Sequence, residues 1–362
     1  MDHALRRARA AARLAELGLD ALLVTRLPNV RYLTGFTGSN GQLVLGRDGA
    51  ILLTDGRYEA QAAEESPDLE RRIYRDEAPP HLARALADLG AARVGFEREG
   101  LTYGGWQRLV EAAARMELVP AEPVVEPLRA VKDPEERARI ERAQGATDEA
   151  FERVVLAGLR EGVSERELAL ELEVAMRRAG AEDRGFDPIV AFGEHAAEPH
   201  HRPTDRPLRR GDVVKVDMGA AVDGYRSDMT RTVTFGEPPE RLREIHGLVT
   251  RAQAAGIAAA RPGAALREVD AAARSVIEEA GLGEAFPHGL GHGVGLEIHE
   301  APFLRREAPA GEVLPEGAIV TIEPGVYVPG LGGVRIEDMV VVTADGPTVL
   351  GRAPRDLLDV AP

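Results

Sequence analysis

The chain has 362 residues, 44% of them hydrophobic and 29% charged, with no cysteine and a formal net charge of -15. That length exceeds what one growing core supports, so two domains are expected, and the missing cysteines exclude disulfides, thiolate nucleophiles and sulfur-ligated zinc, leaving oxygen and imidazole to hold any metal. The acidic balance argues against nucleic acid and anionic membranes as partners, because binding to phosphate rests on a basic surface.

No apolar run approaches the roughly 18 residues of a membrane span. The N-terminal MDHALRRARAAARLAELG mixes arginine and glutamate where a signal peptide is uniformly apolar, so a cytoplasmic protein is expected. This first segment reads as an alanine-rich helix ending at Gly18, followed by the apolar run ALLVT from Ala21. GQLVLGRDGAILLTD reads as two strands around a turn at Asp48 and Gly49. Helical patterns over Gly56 to Glu65, His81 to Leu89 and Thr102 to Met116 complete a small α/β domain. LVPAEPVVEPLRAVKDP, from Leu118 to Pro134, carries four prolines and reads as a connector, which places the domains at 1–128 and 129–362.

Asp133, Pro134 and the two glutamates after them form a helix start, and a long helix is expected from there to about Leu159. Ser164 and Glu167 have capping-box spacing and open a second helix to about Arg178. Beyond it lies an internal duplication. LRRGDVVKVDMGA from Leu208 and LPEGAIVTIEPGV from Leu314 each have glycine three residues on, a carboxylate nine on and glycine eleven on. Each leads to a second strand, RSDMTRTVTF or RIEDMVVVT, and GVSEREL from Gly162 is echoed upstream of the second copy by GAALREV from Gly263. The unit is two helices plus a β-hairpin, written twice.

Each copy carries two acids, Asp217 with Asp228 and Glu323 with Glu337. If the copies associate about a pseudo-two-fold axis, these four converge. Two carboxylates about 4 Å apart repel by roughly 4 kcal/mol at an effective dielectric near 20, so a cluster of four needs cations, and two divalent ions would balance it. PHGLGHGVGLEIHE, from Pro287 to Glu300, supplies His288, His292 and His299 on extended or looped backbone whose glycines let an imidazole approach the acidic strands. Oxygen-rich ligation with a minority of nitrogen favours Mn²⁺, with Co²⁺, Fe²⁺ or Zn²⁺ as alternatives.

At these residues the sequence resembles the pita-bread metallopeptidases, the family of methionine aminopeptidase, aminopeptidase P and prolidase. The resemblance rests on VDMGA, YRSDMTRT, HGLGHGVGLEIHE, TIEPG and GGVRIED, spaced over the chain from about Pro134 onward. It implies a pseudo-two-fold pita-bread catalytic domain in an overall α+β architecture, with Asp217, Asp228, His292, Glu323 and Glu337 holding a dinuclear centre that Asp228 and Glu337 bridge. AFGEHAAEPHHRPTDRPL from Ala191 matches the segment carrying a further active-site histidine, at His200, with His201 as its neighbour. Two departures, Phe192 where relatives often have serine and His195 where they often have asparagine, read as a changed pocket wall.

NVRYLTGFTGSNG from Asn29 and TDGRYEAQA from Thr54 are similar to the N-terminal domain of aminopeptidase P, prolidase and creatinase. The resemblance therefore implies a peptidase acting on Xaa-Pro bonds, a dipeptidase favoured slightly over an aminopeptidase P, acting on proline-containing di- or oligopeptides as a homodimer. His299 is read as the donor to the oxyanion, His200 as close to the substrate, and Glu323 as a ligand that also shuttles a proton toward the leaving proline nitrogen. His288 is read as lining the pocket. Arg335 is either a substrate-facing cation or an ion partner that orients a metal carboxylate. His3, His81 and His246 are expected at the surface. The readings from other classes are a non-catalytic pita-bread scaffold and a creatinase-like hydrolase working without metal.

Overall fold

Ala21–Val24 is buried at all four positions, the pattern of a strand covered on both faces, and it sits inside a six-stranded mixed sheet. The computed structural model describes all 362 residues and divides into two units, Met1–Arg129 and Ala130–Pro362. In the first unit the strands run in the order Glu70–Tyr74, Ala50–Asp55, Gln42–Gly46, Ala21–Val24, Arg93–Glu97 and Glu117–Ala121. The expected hairpin is present: Gln42–Gly46 pairs antiparallel with Ala50–Asp55 around the short turn containing Asp48 and Gly49. Leu23, Val44, Leu53, Leu86 and Val94 build the core between this sheet and its helices.

The proline-rich segment differs from a plain connector. Glu117–Ala121 is the edge strand, parallel to Arg93–Glu97, and Glu126–Ala130 is a short helix. Pro120 is compatible with this because an edge strand has one unpaired side on which a missing N–H costs nothing. The helix expected over Thr102 to Met116 is limited to Tyr103–Ala112.

In the second unit the duplicated plan is realised. Pro134–Phe151 is closed at its start by reciprocal bonds between Asp133 and Glu136, and it runs on through a π-helical turn at Glu152–Leu156. Glu165–Arg178 follows, with the Ser164 and Glu167 capping box. Strands Asp212–Met218 and Met229–Phe235 then pair antiparallel with Asp217 opposite Thr230. The second copy consists of helices Glu240–Ala259 and Leu266–Glu279 and the pair Ile319–Ile322 with Asp338–Thr343, where Ile322 faces Asp338.

Each copy packs its own core. Phe151, Leu168, Leu172, Val214 and Val233 form one, and Val249, Val269, Ile277, Val320 and Val340 the other. The hairpins meet where Glu337 N–H donates to Thr230 O at 3.1 Å and Thr232 Oγ1 donates to Arg335 O at 2.9 Å. That seam brings the acidic ends of both copies together. His246, expected at the surface, is instead buried on the inner face of Glu240–Ala259 at 6% exposure, because its position in the helix falls on the apolar stripe with Leu242 and Val249.

Candidate metal centre

Asp217 lies on Asp212–Met218, Asp228 immediately precedes Met229–Phe235, Glu323 follows Ile319–Ile322 and Glu337 precedes Asp338–Thr343. All four acids, with His292, line one cavity of about 340 Å³. Ligand atoms of Asp228, His292 and Glu337 lie within 4.8 Å of one another. His292 Nε2 is 3.2 Å from Glu323 Oε1 and 3.6 Å from Asp228 Oδ2. The glycines flanking this histidine have a steric reason: a Cβ on Gly291 would lie 2.0 Å from Thr321 O, and one on Gly293 would lie 2.4 Å from Ala301 O. Only bare backbone lets the strand carrying His292 sit this close to its neighbours.

Burial and mutual repulsion set the electrostatics of these acids. Burial, then repulsion from Glu337, Asp217 and Glu323, pushes the Asp228 carboxyl well above the usual range. Burial and the charges of Glu323 and Asp217 do the same to Glu337. Burial also raises Asp217, against the opposing pull of Arg335. Glu323 goes the other way: burial raises it, but the hydrogen bond and charge of His292, with help from His288 and Arg335, hold it at about 2. Asp217 Oδ1 is buried with no hydrogen-bond partner. Carboxylates held at such density, with an orphaned oxygen and a neighbouring imidazole, have the donor chemistry of a divalent-cation site.

Arg335 is 3% exposed, and the cavity reaches it. Its Nη2 donates to Asp217 Oδ2 at 2.5 Å, its Nη1 to Tyr327 Oη at 2.8 Å and Pro199 O at 3.1 Å, and its Nε to Thr230 Oγ1 at 2.9 Å. Thr230 Oγ1 in turn donates to Glu337 Oε2 at 2.6 Å. With its fork committed to the chain, Arg335 has the geometry of an ion partner that orients a carboxylate, while it also lines the cavity. His288 is similarly engaged, its Nδ1 2.8 Å from Gly289 O and its Nε2 2.9 Å from Tyr327 Oη. A carbonyl accepts, so Nδ1 carries the proton and Tyr327 donates to Nε2. Burial lowers His288 to about 4, consistent with a neutral ring.

His299 stands edge-on to His292 with ring centroids 4.3 Å apart, and burial together with the charge of His292 lowers its pKa. His200 is exposed at the rim of the same cavity, with Phe186, Ile189, Ile298 and Phe303 as apolar lining. The structure thus gathers every sequence-derived site residue on one cavity. Phe192 and His195 are not part of its wall: Phe192 is in the apolar core, and His195 Nδ1 is 2.9 Å from Glu165 Oε1. His201 is no passive neighbour, since both its ring nitrogens face carboxylate oxygens, of Glu165 and Glu198.

Three residues of this network went unread in the sequence. Tyr327 joins His288 to Arg335, Thr230 joins Arg335 to Glu337, and Lys215 is fully buried with its Nζ directed at Ala196 O and Glu198 O. For two of them a signal existed. Lys215 and Thr230 each stand two residues from an acid on an alternating strand, hence on the same face.

Duplicated helix-hairpin halves closing on a carboxylate-rich cavity define a pita-bread protein with a metal-binding site at its centre. The family model described as Metallopeptidase family M24 matches residues 138–344, and that described as Creatinase/Prolidase N-terminal domain matches residues 6–131. The chain belongs to metallopeptidase family M24. It is 37% identical over 342 residues to a Xaa-Pro dipeptidase of Pyrococcus horikoshii, covering 94% of this chain and 95% of that one. Among solved structures, a Xaa-Pro dipeptidase from Bacillus anthracis superposes with a TM-score of 0.95 at 39% identity over 99% of both chains. An X-Pro aminopeptidase from Thermotoga maritima superposes at 0.87 with 35% identity, covering 96% of this chain and 99% of that one. No helix is long and apolar enough to cross a membrane.

Proposed function

We propose that this metallopeptidase hydrolyses the bond before proline, with Xaa-Pro dipeptides as the favoured substrates, and that its chain comprises an N-terminal domain of residues 1–128 and a catalytic domain of residues 129–362. The observation that carries the reading is the convergence of Asp217, Asp228, His292, Glu323 and Glu337 on one cavity with Asp217 Oδ1 unpaired. These five residues would hold two divalent ions, Mn²⁺ favoured over Co²⁺, Fe²⁺ or Zn²⁺. Bound there, the ions supply Lewis acidity and lower the pKa of a water.

The remaining work belongs to the chain. His299, lining the cavity edge-on to His292, offers one N–H to the oxygen of the scissile carbonyl as it gains charge. Glu323, 3.2 Å from His292, takes the proton that the attacking water loses and passes it to the proline nitrogen, which has no hydrogen of its own and leaves poorly as an anion. Phe186, Ile189, Ile298 and Phe303 exclude water around the substrate, and His200 contacts it from the rim. Arg335 and His288 fix the ligands and the wall.

Proline release should be measured from Xaa-Pro and Xaa-Pro-Yaa peptides with Mn²⁺ added. Faster release from the dipeptide supports the dipeptidase reading. The similarity to the Thermotoga maritima X-Pro aminopeptidase favours the second reading, which faster cleavage of the longer peptide would establish. No cleavage of either discards the Xaa-Pro assignment, and negligible metal uptake at micromolar Mn²⁺, Co²⁺ or Zn²⁺ points to a scaffold. The same reading places the protein in the cytoplasm as a homodimer, the latter checked by light scattering after size exclusion.

A further inference from the structure

Glu165 is the first residue of helix Glu165–Arg178, and its side chain is completely buried although it carries a charge. Its two oxygens are shared out in an orderly way. Oε1 accepts from Phe192 N–H at 2.9 Å and faces His195 Nδ1 at 2.9 Å. Oε2 accepts from Thr204 N–H at 2.9 Å and Thr204 Oγ1 at 2.6 Å, and faces His201 Nε2 at 2.9 Å. One oxygen therefore takes the chain as it enters the segment 192–204, and the other takes it as it leaves. Although Glu165, His195 and His201 have the composition of a metal site, five donors already occupy the carboxylate.

Between these two pins the segment carries Pro199, His200 and the backbone carbonyls that Lys215 and Arg335 bind. Lys215 Nζ donates to Ala196 O at 3.1 Å and Glu198 O at 2.5 Å, and Arg335 Nη1 to Pro199 O at 3.1 Å. Burial raises the Glu165 carboxyl, but the bonds from Thr204, His201 and Phe192 prevail and hold it at about 2, so the clamp is ionised throughout the neutral range.

We propose that Glu165 is a positioning residue for His200: its carboxylate closes the 192–204 segment at both ends into a strap that presents His200 at the rim of the metal cavity. The inference rests on the peptidase reading above and on His200 facing the substrate. Glu165 acts through the strap and touches no reacting atom. A neutral amide at this position keeps the volume but turns an N–H₂ toward donors, which loosens one end of the strap.

The test is a double-mutant cycle on the metal-loaded enzyme, with wild type, Glu165→Gln, His200→Ala and the double variant, each assayed for kcat, KM and bound metal. Glu165→Gln is expected to lower kcat/KM by roughly tenfold to a hundredfold, the range for misplacing a substrate-contacting group. The loss should fall in the same parameter, kcat or KM, that His200→Ala changes, with metal content unchanged. In the His200→Ala background the same substitution should cost less than about threefold, because the strap then has nothing left to position.

A full, multiplicative loss in that background, or no loss from Glu165→Gln where His200→Ala does lose activity, overturns the proposal. No loss from His200→Ala overturns the reading of His200, and this proposal with it, while leaving the metal site standing. If Glu165→Gln does not fold, Thr204→Val removes a single bond to the clamp and is read in the same cycle. About fivefold alone and no further loss beside His200→Ala is the supporting result, and equal losses in both backgrounds the opposing one.

Discussion

Arg335 and Asp217 form a buried ion pair at 2.5 Å that satisfies Asp217 Oδ2 and leaves Oδ1 with no hydrogen-bond partner. The guanidinium thus fixes one oxygen of the carboxylate and aims the other. Replacing Arg335 by Met should weaken divalent-cation affinity by about 10-fold to 100-fold, the usual effect of removing a group that orients a ligand. Lys should restore little of it, since an ammonium cannot reach Asp217, Tyr327, Thr230 and Pro199 at once. Calorimetric metal titration of the three proteins checks this, and a Lys variant with wild-type affinity would refute it.

Metal itself should stabilise the fold. The folded site concentrates carboxylates that the unfolded chain separates, so Mn²⁺ at a hundred times its Kd is expected to add about 2.7 kcal/mol, reversed by a chelator. Thermal unfolding with and without Mn²⁺ measures the shift. Asp228→Asn, which removes a charge from the middle of the cluster, should shrink it, and an undiminished shift would place the stabilising ions elsewhere.

His299 makes a different demand. Its ring packs edge-on against His292, yet its proposed task is to stabilise charge that develops during reaction. His299→Ala should therefore lower kcat by on the order of 100-fold with metal content unchanged. Steady-state kinetics beside elemental analysis separates this from ligand loss: a variant that sheds its metal would make His299 a support for the site.

His246 gives a pH dependence whose sign follows from its burial. Burial lowers it from 6.5 to about 4, against a weaker upward pull from Asp356, and its Nε2 has no hydrogen-bond partner. Between these values the unfolded chain binds a proton that the folded chain refuses. Stability from this group is therefore fully present above about pH 6.5 and is lost as pH falls toward about 4, at up to about 1.4 kcal/mol per pH unit. Denaturant unfolding of wild type and His246→Leu across that window should show a shallower decline in the variant. Parallel curves would mean that His246 does not titrate there.

Much of the fold was written locally. The Asp133 and Ser164 capping boxes, the turn at Asp48 and Gly49, and the repeat of glycine and carboxylate from Leu208 and Leu314 each depend on residues a few positions apart, so their spacing was legible without a structure. The strand at Glu117–Ala121 was not legible, because Pro120 and the prolines that follow it signal irregular chain, while its support is the pairing with Arg93–Glu97. His246 was misread for a related reason: a lone histidine shows its environment only when the helix face carrying it is known.

The sequence by itself determined which groups this protein can bring to a reaction: no thiol, two acids in each half of a duplication, and histidines among glycines. The tertiary structure decided how those groups are held. It gave Arg335 to Asp217 rather than to open solvent, joined His288 to Arg335 through Tyr327, and tied both ends of the segment bearing His200 to Glu165. The reason is range: capping and strand alternation act over a few residues of chain, whereas buried charges choose their partners by distance in space, across separations such as the 118 residues between Asp217 and Arg335.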